Sequence, residues 1–346
     1  MLRYLAGRLV RLIVSLIAVS IITFILMELV PGSYSDLQGT DVGSGLGGSS
    51  VQGGAAVGPG GHEDQPAWQT YLDFMKGAAT WNMPASYKYP QLTVNEIIEQ
   101  GFPVSLTIAF LAMIITVAIA IPTGLLAAVK QNRVLDYGPM FLFTVLTALP
   151  GYLFALVLIL IFASWLRWLP TGGWNGPQYA VIPVLALGLE HVARMARFVR
   201  SSVLESLGEE YVVAAYAKGA TKQTVWIGHV LRNSLIPVVT VAGPMFAAMA
   251  TGTVFIEALM GIPGLGLFFS VAARTRDLPL MMGATLFFAA LLMVVNLLVD
   301  LSYRLLDPRI RYQTPSASFR VRRQARARLE RAGLERAGLE RAADHG

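Results

Sequence analysis

Cysteine is absent from the 346-residue chain. That absence excludes a disulfide framework, a thiolate zinc site and a catalytic thiol. Histidine is scarce, and the four present, at 62, 191, 229 and 345, are scattered, which argues against a histidine-cluster metal site. Charge is scarce too. Only 14% of residues are Asp, Glu, Lys or Arg, where soluble domains carry about a quarter. No G-x-x-x-x-G-K-[ST] run occurs, so the sequence has no phosphate loop of its own. Neither a catalytic residue, a metal ligand nor a cofactor site is expected in this chain.

What fills the chain is hydrophobic sequence: 55% of residues, with a mean hydropathy of +0.57. Charge-free runs locate five spans, Leu12–Met27, Gln100–Val129, Tyr137–Leu166, Asn233–Ile256 and Leu278–Val299. Each, with its flanks, supplies the roughly 17–25 residues that a spanning helix needs. A sixth, Tyr179–Leu189, is shorter and ends at the polar pair Glu190 and His191. The expectation is an all-α polytopic membrane protein with six transmembrane helices. The first span has a basic start, but its apolar run is long and no A-x-A-like site follows, so it reads as a retained helix and not a signal peptide.

Basic residues set the orientation. With both termini cytoplasmic, the cytoplasmic side holds all 27 Lys and Arg residues except Lys76, Lys88, Arg167, Arg274 and Arg276. The net charge of +6 is then mostly a topology signal, and a nucleic-acid partner is not expected because the basic residues are spread over loops and a tail. The chain divides into 1–30, the cytoplasmic N-terminus and first helix; 31–101, an extracytoplasmic segment; 102–304, a five-helix core; and 305–346, a basic cytoplasmic tail.

Within the external segment, ten of residues 39–61 are glycine, the composition of a flexible linker. Ala67–Gly77 has helical spacing of apolar residues and is expected to lie against the membrane face or a partner. Pro103 suits a helix start. Leu169–Pro177 is dense in turn formers, and Trp165, Trp168 and Trp174 around it read as interfacial anchors. The tail carries two RAGLE repeats at 331–340 and reads as a solvated or loosely helical extension. Its arginines at 320, 322, 323, 326 and 328 offer contacts to membrane lipids. Glu28, Glu190, Glu257 and Asp300 stand at span ends, which favours interfacial or capping carboxylates over a proton relay.

The polar block 209–237 cannot lie in lipid. Ser202 and Glu205, and again Ser206 and Glu209, have capping-box spacing, and Gly208 breaks the run. Glu209 to Lys218 reads as a short helix whose acidic start (Glu209, Glu210) and basic end (Lys218) complement its dipole. Gly219 falls at the left-handed position after it. Thr221 can cap a second helix, Lys222 to Leu231, and Pro237 suits the entrance of the fifth span. Tyr211, Ala214, Ala215 and Lys218 share one side of the first helix, and two alanines make that side flat. The residues alone leave two readings open: a docking helix for another protein, or a helix lying under lipid headgroups.

This block resembles the EAA loop of bacterial ABC-importer permeases, in the peptide-permease variant. The matching residues are Tyr211, the run Ala215-Tyr216-Ala217-Lys218-Gly219, then His229, Leu231-Arg232-Asn233 and Pro237; Val213 stands where the general motif has glutamate. Further resemblance lies in Leu29–Gly32, Lys130–Asn132, Leu169–Gly176, Ile262–Gly266 and Leu306–Tyr312, covering residues 1–312 apart from the glycine-rich stretch. The resemblance implies a type I ABC importer permease (MetI-like) fold in the bacterial cytoplasmic membrane. It implies import of dipeptides or oligopeptides, with nickel chelates or another small solute as alternatives. It also implies partners: a second permease subunit, two ABC ATPase subunits that bind ATP-Mg, and an extracytoplasmic peptide-binding protein. Glu210, Tyr211, Ala214, Ala215, Lys218 and Gly219 would then form the ATPase-coupling loop. A stand-alone transporter driven by an ion gradient is the competing class. The lack of charges at mid-span and of a visible inverted repeat counts against it.

Overall fold

A computed structural model describes residues 2–29 and 66–306, and among them helices make every regular element. In chain order these are α1 (Leu2–Leu29), α2 (Ala67–Ala79), α3 (Val94–Val129), α4 (Val134–Leu146), α5 (Gly151–Leu158), α6 (Pro177–Leu207), α7 (Glu210–Ala217), α8 (Lys222–Val225), α9 (Arg232–Gly252), α10 (Val254–Met260), α11 (Leu265–Thr275) and α12 (Leu278–Leu306). Wide π turns continue α5 through Ile159–Trp165 and join α8 to α9 through Trp226–Leu231. Residues up to Asp300 belong to one compact unit; of a second, Leu301–Gly346, only the helical residues 301–306 are described. The glycine-rich stretch, the arginine-rich tail and the Leu306–Tyr312 motif beyond its first residue lie outside the described residues.

Five helical stretches are long and apolar enough to cross a membrane: Ala6–Leu29, Val94–Val129, Pro177–Leu207, Lys222–Met260 and Leu278–Val299. A bent pair of shorter helices makes a sixth span when the two are counted as one. Val134–Leu146 and Gly151–Trp165 meet at 93°, where Tyr137–Leu166 had read as one run. The break falls at Pro150, which precedes Gly151 and bars the residue before it from helical backbone.

The shortest expected span proves to be the centre of the molecule. The helix does not stop at Glu190 and His191 but runs to Leu207, and 61% of its most apolar window is buried, against 11% for the first helix. Glu190 is half-buried, and its carboxylate reaches the bare Cα of Gly151, where a Cβ would collide with it. His191 turns its Nδ1 to the Leu187 carbonyl at 3.0 Å. Burial against other helices, not exposure to lipid, explains the polar character: a central helix needs less apolar sequence than a peripheral one.

Small residues let α3 and α6 approach closely. Ala109, Ala112, Thr116, Ala120, Gly124 and Ala127 recur every three or four positions along α3, and all are buried. A Cβ on Gly124 would meet the Ala196 carbonyl oxygen at 2.6 Å, and one on Gly188 would meet that of Ala112 at 3.0 Å. Thr116 Oγ1 donates across the interface to the Gly188 carbonyl at 2.8 Å.

The end of the bundle that holds α2 is a separate apolar cluster. Phe74 of α2 packs there with Met83, Val94, Ile97, Leu265 and Leu280, and the Ala67–Gly77 helix therefore lies on the chain's own body. Tyr71 is bonded to Ser20 of α1 at 2.8 Å, and its ring lies 5.4 Å from Phe24. α3 starts at Val94, ahead of Pro103 and across the expected 101/102 boundary. Thr93 and Glu96 form a capping box in which Thr93 Oγ1 accepts from the Glu96 N–H and Glu96 accepts from the Thr93 N–H. Asp277 fastens the segment before α3 to the last span. It accepts from Ser86 Oγ, from the Lys88 N–H at 3.0 Å and from the Leu280 N–H at 3.1 Å. Beside it, burial and then the Asp277 charge push the phenols of Tyr87 and Tyr89 above their ordinary value, so both stay protonated. Of the tryptophans around Leu169–Pro177, Trp165 and Trp168 are exposed and Trp174 packs on the core.

Candidate functional site

The polar block folds as a short helix, a left-handed glycine and a second helix start. α7 ends in a Schellman turn: the Ala220 N–H reaches the Ala215 carbonyl at 3.2 Å and the Gly219 N–H reaches that of Tyr216 at 2.9 Å. Gly219 has φ +81°, and no atom lies within 4 Å of where its Cβ would stand. The requirement for glycine is therefore conformational and not steric. Thr221 Oγ1 then accepts from the Thr224 N–H at 3.3 Å and starts α8.

The second helix is not a separate unit ending at Leu231. It continues through the π turn into α9, so Pro237 lies inside a helix and not at its entrance. No break in the helix separates α8 from the fifth span.

The two capping boxes expected before the loop do not form, because Ser202 and Ser206 lie within α6. They serve as ties instead. Ser202 Oγ donates to the Ser234 carbonyl at 2.9 Å. Ser206 Oγ is hydrogen-bonded to the Tyr211 hydroxyl and points to the Val230 carbonyl at 3.5 Å. The central helix, α7 and the start of α9 are thus joined by two serines one turn apart.

These ties decide which way α7 faces. Val212 is buried, and Tyr211 and Ala215 are half-buried against the protein's own core. Glu210, Val213, Ala214, Tyr216, Ala217, Lys218 and Gly219 are exposed, with Val213 65% accessible. The structure therefore divides the side expected to be flat: Ala214 and Lys218 face out, Tyr211 and Ala215 face in. The outward ridge is Glu210, Val213, Ala214 and Ala217, at i, i+3, i+4 and i+7. Nothing larger than valine stands on that ridge between Glu210 and Lys218 except Tyr216 at its edge.

A second element near this end was not visible in the sequence. Arg200 of α6 binds Asp136 of α4 with both prongs, at 2.6 and 2.7 Å, and Asp136 also accepts the Asn132 N–H at 2.9 Å. Arg197, one turn away, donates to Thr144 Oγ1 at 3.0 Å. The only hint was a lone aspartate opening a span three positions after Arg133. Glu257, at the opposite face of the core, is fully buried and caps α11: its Oε2 accepts the Gly266 and Leu267 N–H groups at 2.7 and 3.3 Å. An interfacial or capping carboxylate was expected at this span end; Glu257 caps, and it does so buried in the core and not at an interface. No group of three or more His, Asp or Glu side chains able to hold a metal occurs among the described residues.

A bent helix pair, a buried central helix and a helix–glycine–helix loop leading into the next span define a multi-span helical membrane protein. The family model of the binding-protein-dependent transport system inner membrane component matches residues 120–312. The chain belongs to that family. It is 35% identical over 312 residues to the dipeptide transport system permease protein DppB of Bacillus subtilis, which covers 90% of this chain and 98% of the relative. It is 37% identical over 253 residues to the oligopeptide transport system permease protein OppB of Haemophilus influenzae, covering 72% and 83%. A solved inward-facing structure of the MetNI methionine ABC transporter shares the fold with a TM-score of 0.52 at 16% identity, covering 61% of this chain and 96% of that one. The fold is accordingly the MetI-like ABC importer permease fold, and the chain is an inner-membrane transport subunit.

Proposed function

We propose that the chain is one permease subunit of an ATP-driven importer of peptides, with hydrolysis carried out on separate ATPase chains that engage α7. The relatives named for dipeptide and oligopeptide transport support the substrate class. The single observation that carries the coupling role is the two-sided arrangement of α7. Its outer ridge of Glu210, Val213, Ala214 and Ala217 is free, while Tyr211 on the inner side is bonded to Ser206 of the central helix. A push on the ridge is thereby transmitted to α6 through Tyr211 and to the fifth span through the continuous helix after Thr221. Such a movement changes the balance of inward- and outward-open states only if ATPase contacts differ between them. Lys218 and Glu210 can pair with charges on the partner, though exposed pairs contribute at most about 1 kcal/mol. The full assembly in this reading holds a second permease subunit, two ATPase subunits and an external peptide-binding protein.

The test is uptake of a labelled peptide into liposomes holding the purified assembly. The reading predicts uptake that requires ATP and the binding protein. Uptake driven by a proton gradient without ATP would contradict it and favour a secondary transporter.

A further inference from the structure

A cleft of about 200 Å³ opens between α1 and α12, lined by Arg8, Arg11, Leu12, Ser15, Asn296 and Leu297 among others. It belongs neither to α7 nor to the helix interfaces around α6. Its lining is unusual for a lipid-facing groove, because four of its seven residues are polar, the seventh being Met293. Arg11 is exposed; its Nε donates to the Gly7 carbonyl of its own helix at 3.1 Å, and no carboxylate among the described residues pairs with it. The side chains of Ser15 and Asn296, each in the middle of a helix, make no hydrogen bond with any described residue. Hydroxyl and amide groups left in this condition at the edge of hydrocarbon are costly.

The polar groups are also ordered by depth. Arg8 and Arg11 stand near the start of α1, ahead of the charge-free run from Leu12. Ser15 lies one turn further in, about 6 Å along the axis. Asn296 lies one turn inside Asp300 on α12. Cationic donors thus stand at the membrane edge with neutral donors beneath them. Beyond the cleft the surface is apolar, with Val14 60% and Leu298 58% exposed.

We propose that this cleft binds the headgroup of an anionic membrane phospholipid. The phosphodiester sits against the arginines, the ester carbonyls below it accept from Ser15 and Asn296, and the acyl chains run along the apolar faces of α1 and α12. A free phosphate ion would pair with Arg11 but leave the two deeper donors without partners, which is why the geometry favours the lipid. Basic clefts between spanning helices are suited to such headgroups. The inference needs only that the chain is embedded in a bilayer and does not depend on the peptide substrate.

The complete assembly is reconstituted in liposomes containing a photoactivatable phosphatidylglycerol, irradiated, and the labelled peptides of this chain are mapped. Label is expected on 8–15 and 293–297. Arg11→Gln, at an exposed position, should reduce it about fivefold, the loss of one headgroup cation, while Arg11→Lys retains most of it. Ser15→Ala combined with Asn296→Leu should reduce it as well. Undiminished label in Arg11→Gln, or label spread evenly over the lipid-facing helices, would overturn the proposal. So would displacement of the label by inorganic phosphate, which would assign the cleft to a free anion.

Discussion

Arg200 holds both carboxylate oxygens of Asp136, with its Nε at 2.6 Å and its Nη2 at 2.7 Å. The pair fastens the start of the third span to the central helix at a point two turns before Ser206, where the coupling loop is tied. Planar, two-pronged binding of this kind is a property of arginine that lysine does not share. Arg200→Lys should therefore lower the thermal stability of the detergent-solubilised assembly, by about 2 kcal/mol for the lost charge-assisted bonds. An unchanged melting temperature would show that the second prong contributes nothing.

Gly219 has a left-handed backbone and open space around its Cα. Gly219→Val should abolish ATP-dependent uptake while the protein still inserts, because a β-branched side chain disfavours this conformation by about 1–2 kcal/mol. Gly219→Asn should retain most uptake, since asparagine tolerates the left-handed region. Equal uptake by the valine variant would remove the turn from the coupling path.

Tyr211 and Ser206 share a hydrogen bond between α7 and the central helix. Tyr211→Phe keeps the ring and removes the bond, at a cost of about 1 kcal/mol. The expected signature is uncoupling: ATP hydrolysis by the assembly continues while peptide uptake per ATP falls several-fold. A parallel fall in both would point to lost assembly instead.

Glu257 caps α11 through the N–H groups of Gly266 and Leu267. Glu257→Gln leaves one oxygen for that task and should be mild. Glu257→Leu strands both donors and should cost about 1–2 kcal/mol, the range for losing a helix cap. Limited proteolysis of the loop between α10 and α11 reads the difference.

Much of this arrangement was legible in the residues. Gly219 announced its own backbone and Thr221 its cap, and four charge-free runs, Leu12–Met27, Gln100–Val129, Asn233–Ile256 and Leu278–Val299, fall within helices long enough to span. The misreadings share a cause. Tyr179–Leu189 looked too short because helix ends were sought at the first charges, whereas Glu190, His191, Arg194, Arg197 and Arg200 are accommodated by a helix packed among its neighbours. Ser202 and Ser206 have the spacing of caps, and spacing does not reveal that a helix is already under way. The start of α3 was written in the sequence as Thr93 and Glu96 and was obscured by the better-known signal of Pro103. The contacts of Arg200 with Asp136 and of Ser206 with Tyr211 depend on how helices pack, which no local pattern encodes. The same holds for the inward turn of Tyr211 and Ala215, because a helix of alanines and valines has no strong apolar side to orient it.

The absence of cysteine makes the central claim open to a direct measurement. A single Ala214→Cys places one thiol on the outer ridge of α7, and Asp73→Cys places another on an exposed site of α2, outside the spanning helices. Maleimide labelling of this chain is compared in membranes with the ATPase subunits bound and after they are stripped. Ala214→Cys is expected to be shielded in the assembly and labelled once the ATPases are removed, with Asp73→Cys unaffected. Equal labelling of Ala214→Cys in both conditions would contradict it.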